Sequence, residues 1–197
     1  ITARIIVAVH KPYPMPEAEL YLPVQVGSLG KESIGFARDD QGENISALNP
    51  WYCELTGIYW AWKNLLPQLL AQAGGDSREL FIGTAHSRRY FSLRRSSPSY
   101  TGAANRFKGV LSADELDELA RKSPIILPRK RHYYSETLRS HFIHAHGPAE
   151  LELLRGAIAR HFPDHLTPVD AVILRRSVQL QHISIQPAGL VDGDCEW

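Results

Sequence analysis

RIIVAVHKPYP, residues 4–14, is the stretch that decides the fold. Its first part, Arg4 to Val9, is apolar and β-branched, which is typical of a buried strand. Two prolines then end the strand, because proline has no backbone N–H to contribute to a sheet. The segment therefore predicts a short buried strand whose carboxyl end carries the polar residues His10 and Lys11.

Further strands and one long helix are predicted later in the sequence. Tyr21 to Val26 and Glu79 to Ala85 (ELFIGTA) read as strands, the latter central in the sheet. Between them, Asn49 as N-cap and Pro50 in the first turn predict the start of a helix that ends at Gly74–Gly75. Its apolar residues recur at spacings of three and four: Trp51, Leu55, Ile58, Trp62, Leu65 and Leu69.

The remainder of the chain continues this alternation of strands and helices. Residues 94–109 are rich in Ser, Gly and Arg and predict a mobile loop, and 124–128 (PIILP) predicts another buried strand. Helices are predicted over 112–122, opened by a capping box at Ser112 and Glu115, and over 135–146, 149–162 and 169–176. Such alternation indicates an α/β fold with a largely parallel sheet, here a single domain over 1–197 that we expect to be trimmed at both ends.

Composition fits a globular domain with unevenly spread charge. The formal net charge is only +1, yet no Asp or Glu occurs between Leu80 and Ala113, where six Arg and Lys residues do. Such a local excess suits a phosphate-bearing ligand or an anionic membrane surface, and a solvated loop is the alternative. Cys53 and Cys195 lie far apart and do not suggest a disulfide framework, which favours the reducing cytoplasm. No apolar run is long enough to span a bilayer, so we expect contact with the inner face of the membrane to be peripheral at most.

Several segments together resemble a family of bacterial domains from capsular and exopolysaccharide gene clusters. The segments are IIVAVHKPYPMP (5–16), LYLPVQVG (20–27), RDDQGENIS (38–46), NPWYCELTGIYWAWKN (49–64), IGTAHSRRYFS (82–92), IILPRKRHYYSETLRSHFIHAH (125–146) and the terminal CEW. The family is of unknown function as a whole, and some members are sugar transferases, including galactofuranosyltransferases.

The resemblance implies a fold and an activity. The fold is similar to the GT-A type, a nucleotide-binding α/β sandwich with a central, mostly parallel sheet. The activity is transfer of a sugar such as galactofuranose from a UDP-sugar donor to a growing capsular or exopolysaccharide glycan, free or lipid-linked. The chain departs from the family at Ser87, where a Tyr is usual, and over 178–187, so the alternative is a non-enzymatic member of a polysaccharide assembly complex. A nucleic-acid-binding module ranks last, because the arginines lie in strand-end loops.

The predicted diphosphate site contains arginine in place of acidic metal ligands. GT-A enzymes usually hold a divalent cation with an Asp-x-Asp motif after a central strand. Here that position reads His86-Ser87-Arg88-Arg89. Because guanidinium groups bind phosphate with fixed, forked donors, we predict that Arg88 and Arg89 bind the diphosphate directly, with His86 as a catalytic hydrogen-bond partner. No tightly bound metal is expected, and bound Mn²⁺ or Mg²⁺ is the alternative. The alternative role for the arginines is structural, with one of them paired to Asp39 or Asp40.

Other polar residues complete the predicted site. Asp39 is assigned to donor binding and Asp40 to catalysis, with Glu43 nearby; a solvated polar turn is the alternative. Glu54 is predicted to orient the donor or to act as general base, with a helix-terminal role as the alternative, and the small residues Gly57 and Ala61 on its helix face leave room for a ligand. His10 and Lys11 follow the first strand and are predicted to contact the nucleotide.

Two further groups of residues receive lesser roles. The aromatic residues of the long helix favour the core over a sugar-stacking platform: Trp51, Tyr59, Trp60 and Trp62. His141, His144 and His146 share helical spacing, but no carboxylate is expected at a matching turn of the predicted helix, so a polar or acceptor-facing surface is favoured over a metal site.

Overall fold

The structure is a computed structural model that describes residues 1–16, 19–87, 89–93, 107–129, 131–132, 135–175, 177–178 and 185–187. The chain divides into two compact units. The first comprises Ile1–Leu127 and His182–Trp197, and the second comprises Pro128–Gln181. Arg88 and most of the loop predicted over 94–109 lie outside the described residues.

Strands and helices alternate along the described chain. The strands are β1 Thr2–Val9, β2 Tyr21–Gln25, β3 Ala37–Arg38, β4 Leu80–His86, β5 Arg131–His132, β6 Ser177–Val178 and β7 Ile185–Pro187. The helices are α1 Asn49–Tyr52, α2 Leu55–Trp60, α3 Leu66–Gln72, α4 Ala113–Ala120, α5 Leu138–His146, α6 Pro148–His161 and α7 Leu166–Ile173. A π-helical turn, Ala61–Leu65, joins α2 to α3, and short 3-10 turns occur at Ser46–Leu48 and Pro163–His165.

A sheet in the order β3-β2-β1-β4-β7 forms the centre of the first unit. β1 pairs in parallel with β2 and β4, and β2 pairs in parallel with β3, whereas β7 is antiparallel to β4. Val9 is opposite Gln25, Gln25 is opposite Arg38, and Ala8 is opposite His86. The carboxyl ends of all four parallel strands therefore reach the same edge of the sheet, which confirms the predicted mostly parallel α/β fold.

The predicted strand over 124–128 is wrong. Ile125 and Leu127 are 44% and 43% exposed and lie outside the strands. Pro124 and Pro128 flank the run and donate no backbone hydrogen bond, so an apolar sequence alone does not bring it into a sheet.

The predicted single helix from Asn49 to Gly74 is also wrong. It is interrupted at Cys53, whose φ is +48°, and again by the π-helical turn Ala61–Leu65. Pro67 follows that turn, and its missing N–H cannot bond to the carbonyl four residues earlier, which favours a local change of helical register. Asn49 lies inside α1, not before it, and its side-chain amide donates forward to the Cys53 carbonyl at 2.7 Å.

Small residues bring α2 close to the sheet. Ala61 is buried in one cluster with Ile6, Ala8, Val24 and Val26, and a Cβ built on Gly57 would lie 2.5 Å from Val26 Cγ1. The space that the sequence assigned to a ligand beside Gly57 and Ala61 is therefore filled by strand β2 and the residue after it. The other side of the sheet buries Ile5, Val7 and Val9, each with no exposed surface.

The second unit is mainly helical. α5 begins with a capping box between Thr137 and Ser140, and Arg155 of α6 forms two hydrogen bonds to Asp170 of α7, at 2.7 and 2.8 Å. The predicted helices of this region are confirmed within three residues at each end. In the part of the chain that the structure describes, no helix has both the length and the apolar character to cross a membrane.

Replacing Gly57 with alanine is expected to destabilise the first unit by about 1–2 kcal/mol. Alanine gains about 1 kcal/mol of helix propensity, but its methyl group overlaps Val26, and overpacking costs more than that gain. Gly156→Ala in α6 is the matched control, because a Cβ there meets no atom within 4 Å; it should stabilise by about 0.5–1 kcal/mol. Chemical denaturation followed by circular dichroism measures both variants, and equal effects would contradict the close packing of α2.

Candidate functional site

One pocket of the first unit lies where the topology of the sheet places ligand sites. Its volume is about 430 Å³. It is lined by strand residues Ile6, Ala8, Thr84, Ala85 and His86 and by Tyr52, Glu54, Leu55 and Ile58 of the α1–α2 segment. The chain runs from β1 outward to β2 and β3 and then crosses to β4 on the other side of β1. In open α/β sheets, the crevice at such a switch point is the usual position of the ligand.

An acid and a base face each other in this pocket. Glu54 Oε1 lies 3.9 Å from His86 Nε2, and the two side chains are 42% and 24% exposed. His86 is the last residue of β4, and Glu54 lies between α1 and α2. A separation of 3.9 Å is long for a hydrogen bond, so a hydroxyl group of a ligand fits close to both. The structure thus brings together two of the three residues that the sequence assigned to catalysis.

The turn that presents Glu54 is strained. Cys53 has φ +48° and ψ −126°, a combination that glycine adopts far more readily than a residue with a side chain. Its N–H donates to the Asn49 carbonyl at 2.8 Å, and its carbonyl accepts from the Asn49 side chain at 2.7 Å. A strained residue persists only where its surroundings hold it in place, and such residues concentrate at functional sites.

Asp39 is the buried centre of the loops around this turn. Its carboxylate has no exposed surface and accepts five hydrogen bonds of 2.6–3.0 Å. The donors are the backbone N–H groups of Gly27 and Ser28 and the hydroxyl groups of Ser28, Ser46 and Thr56. The Thr56 hydroxyl also accepts from the Asn49 side chain at 3.1 Å, which connects Asp39 to the Cys53 turn.

This placement gives Asp39 a different role from the one that the sequence suggested. With its oxygens engaged and buried, the carboxylate serves as scaffold and does not face a ligand. Burial by itself would raise the pKa of Asp39, but the hydrogen bonds from Ser28, Ser46, Thr56 and Gly27 outweigh it and hold the pKa below its usual value. The carboxylate is therefore ionised at neutral pH.

Asp40 is paired with a neighbour on the same strand end. Arg38 donates to Asp40 Oδ1 at 3.0 Å and to Oδ2 at 2.6 Å, and the same guanidinium group donates to the carbonyls of Ser28 and Lys31. The hydrogen bond from Arg38 lowers the pKa of Asp40 to about 2. A carboxylate with so low a pKa is a weak proton acceptor, which makes Asp40 a poorer general base than the sequence suggested.

The rest of the acidic loop is fixed to α2 and the following turn. Glu43 accepts from the Tyr59 hydroxyl at 2.8 Å, and this hydrogen bond and the nearby Lys63 lower the pKa of Glu43. Trp60 donates its indole N–H to the Gln41 carbonyl at 2.9 Å. Tyr59 and Trp60 are therefore partly buried anchors for this loop. Trp51, by contrast, is 76% exposed, so the prediction that it belongs to the core is wrong.

Basic residues follow the two strands that line the pocket. His10 and Lys11 directly follow β1 and are exposed, and Arg89 is exposed in the tight turn after β4, where its N–H donates to the His86 carbonyl at 2.8 Å. The register of β1 and β4 places these loops at the same edge of the sheet. Arg88, the other predicted diphosphate ligand, lies outside the described residues. The phosphate-binding roles of these residues stay predictions.

The histidines of the second unit pair with a carboxylate that precedes their helix. The Nδ1 atoms of His141 and His144 lie 2.9 and 3.0 Å from the two oxygens of Glu136. Within the described residues, no group of three or more His, Cys, Asp or Glu side chains has the arrangement of a metal site. These contacts give the pair a local structural role at the start of α5.

Sequence reasoning missed the residues that shape the site from a distance. Ser28, Ser46 and Thr56 come from three separate segments, and no local pattern marks them as partners of Asp39. The glycine after β2 was an available signal: Gly27 has φ +57° and would press a Cβ into the side chain of Asn49. The helical pattern predicts no functional role for Tyr52 and Leu55, yet both line the pocket.

The fold is similar to that of a solved glycosyltransferase. A solved structure described as a WbbM bifunctional glycosyltransferase in the apo state matches with a TM-score of 0.74, covering 96% of this chain at 22% identity. The likeness shows a glycosyltransferase-like fold, and the matched part is 34% of the length of that protein. Residues 4–197 match the family described as a domain of unknown function, DUF4422, and the chain belongs to that family. Comparison with curated protein sequences gave no match.

Asp39→Asn is expected to lower the free energy of unfolding by about 2–4 kcal/mol. The new amide nitrogen would meet N–H and O–H donors, and the loss of a charged acceptor leaves buried donors poorly paired. Asp76→Asn removes an exposed aspartate paired with Arg78 and should cost at most about 1 kcal/mol. Chemical denaturation at neutral pH compares the two variants.

The same substitution should flatten the dependence of stability on pH. Because the pKa of Asp39 is lowered by folding, its contribution is complete above about pH 4 and is lost as the pH falls through the folded value. The melting temperature of the wild type should therefore drop more between about pH 5 and pH 3 than that of Asp39→Asn. Parallel curves for the two proteins would show that Asp39 is not the buried anion described above.

Proposed function

We propose that this chain is a glycosyltransferase domain that moves a sugar from a UDP-sugar donor to a growing capsular or exopolysaccharide glycan. The observation that carries the proposal is the Glu54–His86 pair in a pocket at the switch point of a glycosyltransferase-like fold. The sugar is one such as galactofuranose, as the resemblance to polysaccharide-cluster domains implies.

The distribution of charge supports a donor bound on the basic side of the pocket. A nucleotide diphosphate carries negative charge that grows as the sugar leaves, and cations placed against it stabilise the transition state. His10, Lys11 and Arg89 surround the carboxyl ends of β1 and β4, and Arg88 follows His86 in sequence. In this arrangement these residues bind the diphosphate and stabilise it as the leaving group.

Glu54 is the residue best suited to act on the acceptor. Its carboxylate is half-exposed in the pocket, whereas Asp39 is buried and Asp40 is paired with Arg38. As the acceptor oxygen attacks the anomeric carbon, Glu54 takes the hydroxyl proton, and the bond from that carbon to the diphosphate oxygen breaks. His86, at the end of β4 and 3.9 Å from Glu54, orients a sugar hydroxyl placed between the two side chains.

Glu54→Gln is expected to reduce kcat at least about 100-fold while leaving UDP binding within about twofold. Glutamine keeps the shape of the side chain but cannot accept the proton, and a general base contributes about 10²- to 10⁴-fold. Glu79→Gln, an exposed change at the start of β4, is the matched control and should retain full activity. Transfer from a panel of UDP-sugars and the thermal shift with UDP provide the two measurements.

These measurements separate the possible failures. Full activity of Glu54→Gln would remove Glu54 from the mechanism. A wild-type protein that binds UDP and shows no turnover with any donor would support the alternative, a non-enzymatic member of an assembly complex. A wild-type protein that does not bind UDP would contradict the proposal itself.

We further propose that turnover needs no tightly bound divalent metal. Two carboxylates that the sequence offered as metal ligands are already engaged, Asp39 by five donors and Asp40 by Arg38, and the loops after β1 and β4 carry positive charge. A divalent ion beside guanidinium groups would face repulsion of about 2 kcal/mol per pair even in water at ~4 Å.

Activity should therefore survive excess EDTA, and Arg88→Ala and Arg89→Ala should each lower it about tenfold or more through loss of diphosphate stabilisation. The measurement is transfer from the UDP-sugar donor with and without EDTA. Loss of turnover in EDTA that manganese restores would show that a metal does this work, and full activity of both alanine variants would move the diphosphate contacts elsewhere.

A further inference from the structure

An apolar and aromatic surface adjoins the mouth of the pocket. Trp51 is 76% exposed, and Leu48, Tyr52 and Leu55 are each exposed to between 40% and 50%. We call these four residues the α1 rim. Tyr52 and Leu55 also line the pocket, so the α1 rim continues the pocket wall to the surface. An exposed tryptophan beside a pocket is unusual for surface packing and typical of a binding surface.

The chain segment that forms the α1 rim carries no basic residue, and the cations at its borders are paired, Arg38 with Asp40 and Lys63 with Glu43. Between Arg38 and Lys63 the sequence contains no Lys or Arg, whereas Asp39, Asp40, Glu43 and Glu54 lie in the interval. Glu54 is the only charged residue from 45 to 62. The α1 rim therefore offers no basic group to an anion such as a phosphate or carboxylate, whereas basic residues follow β1 and β4.

We infer that Trp51 and Tyr52 of the α1 rim form the acceptor subsite, a platform on which a neutral sugar ring stacks. The inference rests on the proposed glycosyltransferase function and adds where the acceptor binds and what its chemistry is. The C–H face of a sugar ring packs against an aromatic ring, while its hydroxyl groups reach polar partners at the edge. Glu54 follows the platform after one strained residue, which places a proton acceptor next to the stacked sugar.

Charge distinguishes this occupant from a membrane surface. Bacterial lipid surfaces are anionic, and segments that lie on them carry Lys and Arg around their apolar groups. The segment of the α1 rim contains Glu54 and none of these basic residues, so its charge does not attract an anionic bilayer. A neutral glycan needs no such attraction, and an acceptor bearing uronic acids is disfavoured for the same reason as the membrane.

The test compares two disaccharides on the whole chain with saturating UDP. Galactobiose is neutral, and digalacturonate is its carboxylate-bearing counterpart. Saturation-transfer NMR should detect galactobiose on the wild type and give a markedly weaker signal with digalacturonate. Trp51→Ala should weaken galactobiose binding roughly five- to tenfold, and Trp51→Phe, which keeps an aromatic face, should stay within about twofold. Leu153→Ala, an equally exposed apolar truncation in α6, is the matched control and should have no effect.

The thermal shift with UDP should be the same for all four proteins, which separates this inference from the proposed function. Absence of galactobiose binding to the wild type, or equal binding by Trp51→Ala, would overturn the acceptor subsite. Loss of UDP binding in Trp51→Ala would also overturn it, since the α1 rim would then belong to the donor. Sedimentation with phosphatidylglycerol vesicles that depends on Trp51 would assign the surface to lipid. Galactobiose binding without any UDP binding would support the sugar-binding surface at Trp51 and Tyr52 and contradict the proposed glycosyltransferase function.

Discussion

The buried carboxylate of Asp39 is the interaction on which the site depends. Ionised groups are costly to bury, and five donors from two loops and one helix compensate that cost. Because the donors come from three separate stretches of chain, the carboxylate holds those stretches at fixed distances. The loop after β2, the loop after β3 and the start of α2 are thereby joined at the edge of the sheet where the pocket opens.

The strained turn at Cys53 is a consequence of this arrangement. Asn49 and Thr56 lie on either side of the turn, and both belong to the hydrogen-bond network around Asp39. Held from both sides, Cys53 adopts a backbone conformation that it would avoid in an isolated helix. The break separates α1 from α2, so Glu54 faces the pocket while Gly57 and Ala61 pack on β2. A continuous helix would not both direct Glu54 into the pocket and pack Gly57 and Ala61 against β2.

The placement of charge at the site follows from sheet topology. β1 and β4 end side by side, so the basic residues after them share one edge of the sheet, while the α1–α2 segment with Glu54 lines the pocket. A reaction between an anionic donor and a neutral acceptor suits such a division, because the basic residues attract the donor and Glu54 does not repel a neutral acceptor. The proposed transferase and its acceptor subsite both use this separation.

The sequence by itself determined the strands β1, β2 and β4, the parallel sheet and the candidate residues after each strand. Those features depend on the local periodicity of apolar residues and on which residues follow each strand, and both can be read along the sequence. Only the tertiary structure decided the roles: Asp39 turns inward, Trp51 turns outward, and Glu54 meets His86. Each of these outcomes depends on which distant donors or neighbours surround a side chain, and the spacing of residues along the chain contains no information about that.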